Sequence, residues 1–109
     1  MFNFFSIFFY FFLFFPVYSE EVNIYSARHY ESDIKIYEKF TKLTGIKVNM
    51  ISGNAKALEK RIQEEGEDCI ADVFIVADAG KLHSAQSKNL FRKLNSEKIN
   101  RLVPKNFRT

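Results

Sequence analysis

Strand and helix patterns alternate along residues 20–109, and this order restricts the possible folds more than any other feature of the sequence. Apolar and polar residues alternate at residues 21–26 and 46–51, which predicts two strands. A continuous apolar run at residues 71–76 predicts a third strand, of the kind that is central in a sheet and covered on both faces. Segments with helical spacing separate the strands. This alternation is typical of an α/β fold with a parallel sheet.

The helices are predicted from the spacing of apolar residues and from residues that favour helix ends. Ser32 is a favoured N-cap for a first helix that runs to about residue 44, and Gly45 is a favoured stop. The inward face of this helix comprises Ile36, Tyr37 and Phe40, with residue 43 or 44 continuing it. The other predicted helices cover residues 55–65, 80–88 and 96–102.

Right-handed crossover connections leave few ways to arrange three parallel strands. The simplest places strand one in the middle, which gives a parallel sheet of order 2-1-3 with the first and second helices on opposite faces. The chain then reverses direction between strands one and three, and ligands bind at such a switch point, beyond the carboxyl ends of the strands. The loops at residues 26–32 and 77–80 lie there. We therefore expect any binding site in these two loops.

The first of these loops contains Arg28, His29 and Tyr30 in consecutive positions, just before a helix N-terminus. A phenolate oxygen is a hard donor that suits Fe³⁺, and a neutral imidazole binds iron among several metals. Arg28 adds to the attraction that a helix N-terminus has for anions. The ordinary alternatives are that Tyr30 is a half-buried aromatic residue and that His29 is a surface or capping residue.

Other polar and aromatic residues have simpler interpretations. Tyr25 lies on strand one and is expected to pack in the core. Asp78 follows strand three and is expected to cap the third helix. Leu82 and Ala85 are the predicted inward residues of that helix, and His83 is expected at its surface.

Charge and cysteine content exclude several classes of function. The net charge of +3 is small, and the basic residues are mixed with acidic ones, so no nucleic-acid partner is indicated. Cys69 is the only cysteine, which excludes an internal disulfide and a zinc site built from cysteine pairs. The sequence also lacks common nucleophile and metalloprotease motifs. It therefore predicts a binding protein and not an enzyme.

Residues 1–19 carry most of the 13 Phe of the chain and no charged side chain. An apolar run over residues 1–15, the helix breaker Pro16, and Val17 and Ser19 before a cleavage point predict a signal peptide at residues 1–19. Export would place residues 20–109 in the periplasm, with the membrane contacted only through the signal. The alternative is an uncleaved anchor, although the run is shorter than the roughly 20 residues that span a bilayer.

Several strings in the sequence resemble the start of periplasmic ferric iron-binding proteins of ABC transporters. They are EVNIYSARHYESD at residues 21–33, YEKFTKLTGIKV at 37–48, ADVFIVADAGKL at 71–82 and LVPKNFR at 102–108. The resemblance implies part of a periplasmic-binding-protein type II lobe, Fe³⁺ as the transported ligand, and an inner-membrane ABC permease as the partner. It also implies that His29 and Tyr30 are metal ligands and that Arg28 lies near a synergistic anion.

The 109 residues are far fewer than the two lobes of that family require, so the resemblance implies an N-terminal part of the first lobe, at residues 20–109, without the second lobe. We expect such a fragment to bind iron weakly or not at all, because most of the family's iron-binding tyrosines come later in the chain. Three alternatives remain at this point: a receptor of the same fold for thiamine or an oxyanion, a remnant without a binding function, and a small membrane-anchored α/β interaction domain.

Overall fold

A three-stranded parallel sheet forms the centre of the computed structural model, which describes residues 20–108. The predicted signal peptide lies outside the described residues. The strands are β1 (Glu21–Ser26), β2 (Lys47–Ser52) and β3 (Val73–Ile75), in the spatial order β2-β1-β3. β1 pairs with β2 along its whole length and with β3 over its last three residues, from Ile24 to Ser26. The predicted order 2-1-3 is confirmed.

Four α-helices follow or separate the strands: α1 (Glu31–Thr44), α2 (Ala55–Glu65), α3 (Ala79–Ser87) and α4 (Glu97–Leu102). Short 3₁₀ turns occur at Gly66–Asp68 and Lys105–Phe107. In the part of the chain that the structure describes, no helix has the length and apolar character needed to cross a membrane.

The core lies around the carboxyl half of β1, where Ile24, Tyr25 and Ser26 are buried. Ile24 lines a small apolar cavity together with Tyr37 and Phe40 of α1. Tyr25 points the opposite way, because successive strand residues alternate between faces, and its hydroxyl donates to Glu65 of α2. α1 and α2 therefore cover opposite faces of the sheet, as predicted.

The N-cap prediction for α1 is wrong. Tyr30 occupies the N-cap position with extended backbone angles and makes no side-chain capping bond, so the helix begins at Glu31 and Ser32 lies inside its first turn. The reason is the inward position of Asp33, whose pairing with Arg28 fixes the first turn. The predicted stop is confirmed, since Gly45 has φ 74° and donates its N–H to Thr41.

Strand boundaries differ from the sequence prediction at β2 and β3. β2 begins at Lys47 because the Ile46 N–H donates to the Thr44 hydroxyl and stays in the turn. β3 covers only residues 73–75, and the prediction that it is central and covered on both faces is wrong. It is an edge strand within residues 20–108, with Val73 41% exposed, whereas the central strand is β1.

The predicted helix faces are confirmed only in part. Ala85 of α3 is fully buried, but Leu82 is exposed. Ile36 and Leu43 of α1 are also exposed, so the apolar face of α1 extends beyond the area that the sheet covers.

Candidate functional site

The carboxyl ends of the three strands meet at one edge of the sheet, and the loop between β1 and α1 is fixed there by backbone hydrogen bonds. The Ala27 N–H donates to the carbonyl oxygen of Ile75 at 2.8 Å, and the Gly53 N–H donates to that of Ser26 at 3.0 Å. The loop is thus tied to both neighbouring strands, as its position at the switch point predicts.

Ser26 holds the next part of this loop. Its buried hydroxyl donates to the Arg28 carbonyl oxygen at 2.9 Å and accepts from the Arg28 N–H at 3.2 Å. Hydroxyl-to-backbone bonds of this kind stabilise tight turns. The backbone of Arg28 therefore has a defined position before its side chain makes any contact.

The Arg28 side chain forms an ion pair with Asp33 of α1. Nη2 donates to Oδ1 at 3.0 Å, and Nε lies 2.9 Å from Oδ2. The Asp33 side chain is almost completely buried, whereas that of Arg28 is 40% exposed. A buried carboxylate needs a cationic partner, and Arg28 supplies one.

Tyr30 and His29 are both exposed beside this ion pair, with Tyr30 57% exposed. The guanidinium carbon of Arg28 lies 4.9 Å from the centre of the Tyr30 ring, which is the geometry of a cation–π contact. The structure thus brings Arg28 and Tyr30 together, and places His29 between them in the loop. A phenol and an imidazole in this position are accessible to a ligand from solvent.

These two donors are too few to enclose a metal ion. Among residues 20–108, no group of three His, Cys, Asp or Glu side chains is arranged to hold one. A complete coordination sphere would therefore need donors in addition to His29 and Tyr30.

The other candidate residues lie outside this loop. Tyr25 is fully buried, and its hydroxyl donates to both carboxylate oxygens of Glu65 at 3.1 Å. Burial, followed by that carboxylate, raises the pKa of Tyr25, which disfavours a phenolate there. Asp78 caps α3 by accepting from two backbone N–H groups, and His83 is exposed. Cys69 is a half-buried free thiol.

The sequence interpretation missed Asp33. Its carboxylate orders the loop, yet Asp33 has the appearance of an ordinary helix-start acid. The available signal was its spacing: Asp33 lies three residues before Ile36 and four before Tyr37, on the inward face of α1. A charged residue in an apolar stripe indicates a buried pair, and Arg28, five residues earlier in the loop before the helix, is the cation that pairs with it.

Similarity to known proteins agrees with a binding function. No protein-family model matches the chain. Iron uptake protein A1 of Synechocystis is 42% identical over 94 residues, which cover 86% of this chain and 26% of that protein. The major ferric iron-binding protein of Neisseria gonorrhoeae is 32% identical over 80 residues, which cover 73% of this chain and 24% of that protein.

Among solved structures, the Trichodesmium protein FutA (IdiA) in complex with iron and citrate ligands matches with a TM-score of 0.76 and 43% identity, over 82% of this chain and 28% of that one. The α/β fold and the expectation of a binding protein and not an enzyme are confirmed by these relatives. The homologues of this chain are thus iron uptake and ferric iron-binding proteins, and the chain spans about a quarter of their length.

Proposed function

We propose that this chain forms the N-terminal part of an iron(III) receptor, which is exported to the periplasm by residues 1–19 and delivers its ion to an inner-membrane ABC permease. The observation that carries the proposal is the exposed pair His29 and Tyr30, at the carboxyl edge of the sheet, in a chain whose homologues bind ferric iron.

In this proposal Tyr30 supplies a phenolate oxygen, which is the hardest donor in the loop and suits a trivalent ion. A bound Fe³⁺ favours the deprotonated phenol through its charge. His29 supplies a ring nitrogen. Arg28 attracts a synergistic anion; since Nε and Nη2 face Asp33, Nη1 is the guanidinium nitrogen that the anion would approach.

The other iron donors would come from the rest of the receptor, because the chain spans about a quarter of its relatives. The isolated chain is therefore expected to bind free Fe³⁺ weakly or not at all. A chelator that occupies most of the coordination sphere supplies the donors that the isolated chain lacks. Nitrilotriacetate leaves two adjacent positions of Fe³⁺ open, which matches the two donors that the loop provides.

The test is an optical titration of the full chain with iron(III) nitrilotriacetate, in which a phenolate-to-iron charge-transfer band reports coordination by tyrosine. We expect the band to appear with the unaltered chain, to disappear in Tyr30→Phe and to weaken in His29→Ala. Tyr37→Phe is the matched control, since it removes a half-buried phenol of α1 outside the loop. A band that survives Tyr30→Phe would contradict the proposal.

The alternative of an oxyanion receptor depends on the positive charge of Arg28. Asp33 neutralises much of that charge at 2.9 Å, which makes Arg28 a weak anion site by itself. Calorimetry with phosphate and sulfate tests this alternative directly, and strong binding of either anion without iron would favour it.

A further inference from the structure

We infer that Asp33 and Arg28 are positioning residues that hold the Tyr30 ring for metal binding. The inference rests on the proposed function, since it assigns how one ligand of that site is oriented. It concerns a stack of three side chains, in the order Asp33, Arg28, Tyr30, which we call the loop stack.

The first layer of the loop stack is the ion pair of Asp33 and Arg28, and both residues are held in place by backbone hydrogen bonds. Asp33 is held in the first turn of α1, where its N–H donates to the Tyr30 carbonyl oxygen at 3.0 Å. Its carboxylate meets two nitrogens of Arg28, and the backbone of Arg28 is bonded twice to the Ser26 hydroxyl. A guanidinium that donates one hydrogen bond to a buried carboxylate, and whose Nε lies 2.9 Å from the second carboxylate oxygen, has little rotational freedom.

The second layer is the contact between the guanidinium and the Tyr30 ring at 4.9 Å. Tyr30 is 57% exposed, and its side chain makes no capping bond although the residue is the N-cap of α1. The contact with Arg28 can therefore restrain the ring. A restrained ring loses less conformational entropy when its oxygen binds a metal, so affinity rises.

The loop stack also compensates the positive charge of Arg28 near the metal. A guanidinium beside a trivalent cation would repel it, but the Asp33 carboxylate pairs with Arg28 on the side away from solvent. Arg28 can therefore act as a platform for the ring without adding an uncompensated positive charge to the site.

The stack itself is tested in the full chain without iron, by NMR. Protons of Arg28 that lie over an aromatic ring are shifted upfield by its ring current. We expect this shift in the unaltered chain and in Glu38→Gln, an exposed carboxylate of the same helix, and its loss in Tyr30→Leu and Asp33→Asn. Absence of the shift in the unaltered chain would overturn the inference, whatever the iron result.

The effect on iron is measured in the iron(III) nitrilotriacetate titration. Outer-shell partners of metal ligands contribute about 10–100-fold to affinity, and we expect Asp33→Asn to lose affinity in that range. Asp33→Glu keeps the charge but displaces the carboxylate, so it should also lose affinity. Thermal melts followed by circular dichroism show whether each variant is folded at the temperature of titration.

A double-mutant cycle separates positioning from a general effect of charge or folding. The four affinities of the cycle are measured by calorimetry with iron(III) nitrilotriacetate, because Tyr30→Phe is expected to lack the charge-transfer band. If Asp33 acts through Tyr30, the residual affinity of Tyr30→Phe is not reduced further by Asp33→Asn. An equal loss in both backgrounds would overturn the inference. Failure of the proposed function gives a different result, in which the unaltered chain shows the ring-current shift but no charge-transfer band.

Discussion

Asp33 and Glu59 are the buried carboxylates of residues 20–108, and each faces a cation that reaches solvent. Glu59 of α2 pairs with Lys88, which follows α3, and accepts a hydrogen bond from the Ser84 hydroxyl at 3.1 Å. Ionised groups are buried only where partners offset the loss of water. Glu59 thereby ties α3 to α2.

The pH dependence of stability should depend on Glu59. The Lys88 ammonium, together with Ser84, lowers the pKa of the Glu59 carboxyl below its ordinary 4.5 against the opposing effect of burial. A lowered folded-state pKa stabilises the folded chain above pH 4.5, and this stabilisation is lost as the pH falls through the lowered value. We therefore expect Glu59→Gln to lower the Tm at pH 7. In acid, the Tm of this variant should approach that of the unaltered chain.

Glu64→Gln is the matched control, because Glu64 lies on the same helix in an exposed pair with Lys60 at 3.6 Å. Exposed pairs of this kind contribute little, so its Tm should stay close to that of the unaltered chain at every pH. A Glu59→Gln deficit of constant size from pH 7 to pH 3 would show that the ion pair is not the cause.

The position of the loop that contains Arg28, His29 and Tyr30 could be predicted from the sequence, because the strand and helix patterns place it at the carboxyl ends of the strands. The metal and anion roles of these residues stay a prediction. The pairing of Arg28 with Asp33 was not predicted. It depends on which residue begins α1, and capping preferences alone favour Ser32 for that role. Tertiary burial of Asp33 outweighed the local preference.

At the scale of elements, three of the four α-helices of residues 20–108 are preceded by a residue whose side chain caps them: Asn54, Asp78 and Ser96. The Asp78 cap is the tightest, with Oδ1 accepting from the Gly80 N–H at 2.7 Å and from the Lys81 N–H at 3.2 Å. Because an N-cap oxygen satisfies otherwise free N–H groups, these side chains fix where the helices start.

Removal of the Asp78 cap should destabilise the chain without changing its fold. Loss of such a cap costs about 1 kcal/mol of unfolding free energy, and we expect this loss for Asp78→Ala in urea titrations. Asp78→Asn keeps the accepting oxygen and should restore most of the stability. Equal losses for Ala and Asn would indicate that the carboxylate acts through its charge and not as a cap.

The elements were predictable where a local chemical signal coincided with burial. β1 and α2 have the predicted bounds, since alternation defines the strand and Asn54 and Gly66 close the helix. The prediction made β3 too long and placed it in the centre of the sheet. An apolar run indicates that a strand is buried, but it does not show which strands pair with it. Phe74 of β3 instead approaches Phe91 of the segment after α3, with ring centres 6.4 Å apart.

At the scale of the whole molecule, the described part of the chain exposes apolar surface in places that a larger protein would cover. Ile36 and Leu43 of α1 are exposed, and β3 has a hydrogen-bonded neighbour, within residues 20–108, on its β1 side only. An exposed apolar edge strand is a template for pairing with another chain. A chain that spans about a quarter of its relatives is expected to show such surfaces.

The edge of β3 should make the isolated chain self-associate, and a charge on that edge should prevent it. Val73 lies at the start of β3 and is 41% exposed, so Val73→Lys adds a charge to the strand without emptying the core. We expect sedimentation velocity to show concentration-dependent association of the unaltered chain and a monomer for Val73→Lys. Leu102→Lys, which replaces an exposed apolar residue of α4 and not of a strand, should associate like the unaltered chain. If Leu102→Lys abolishes self-association to the same extent as Val73→Lys, exposed apolar surface in general drives the association, and strand pairing does not.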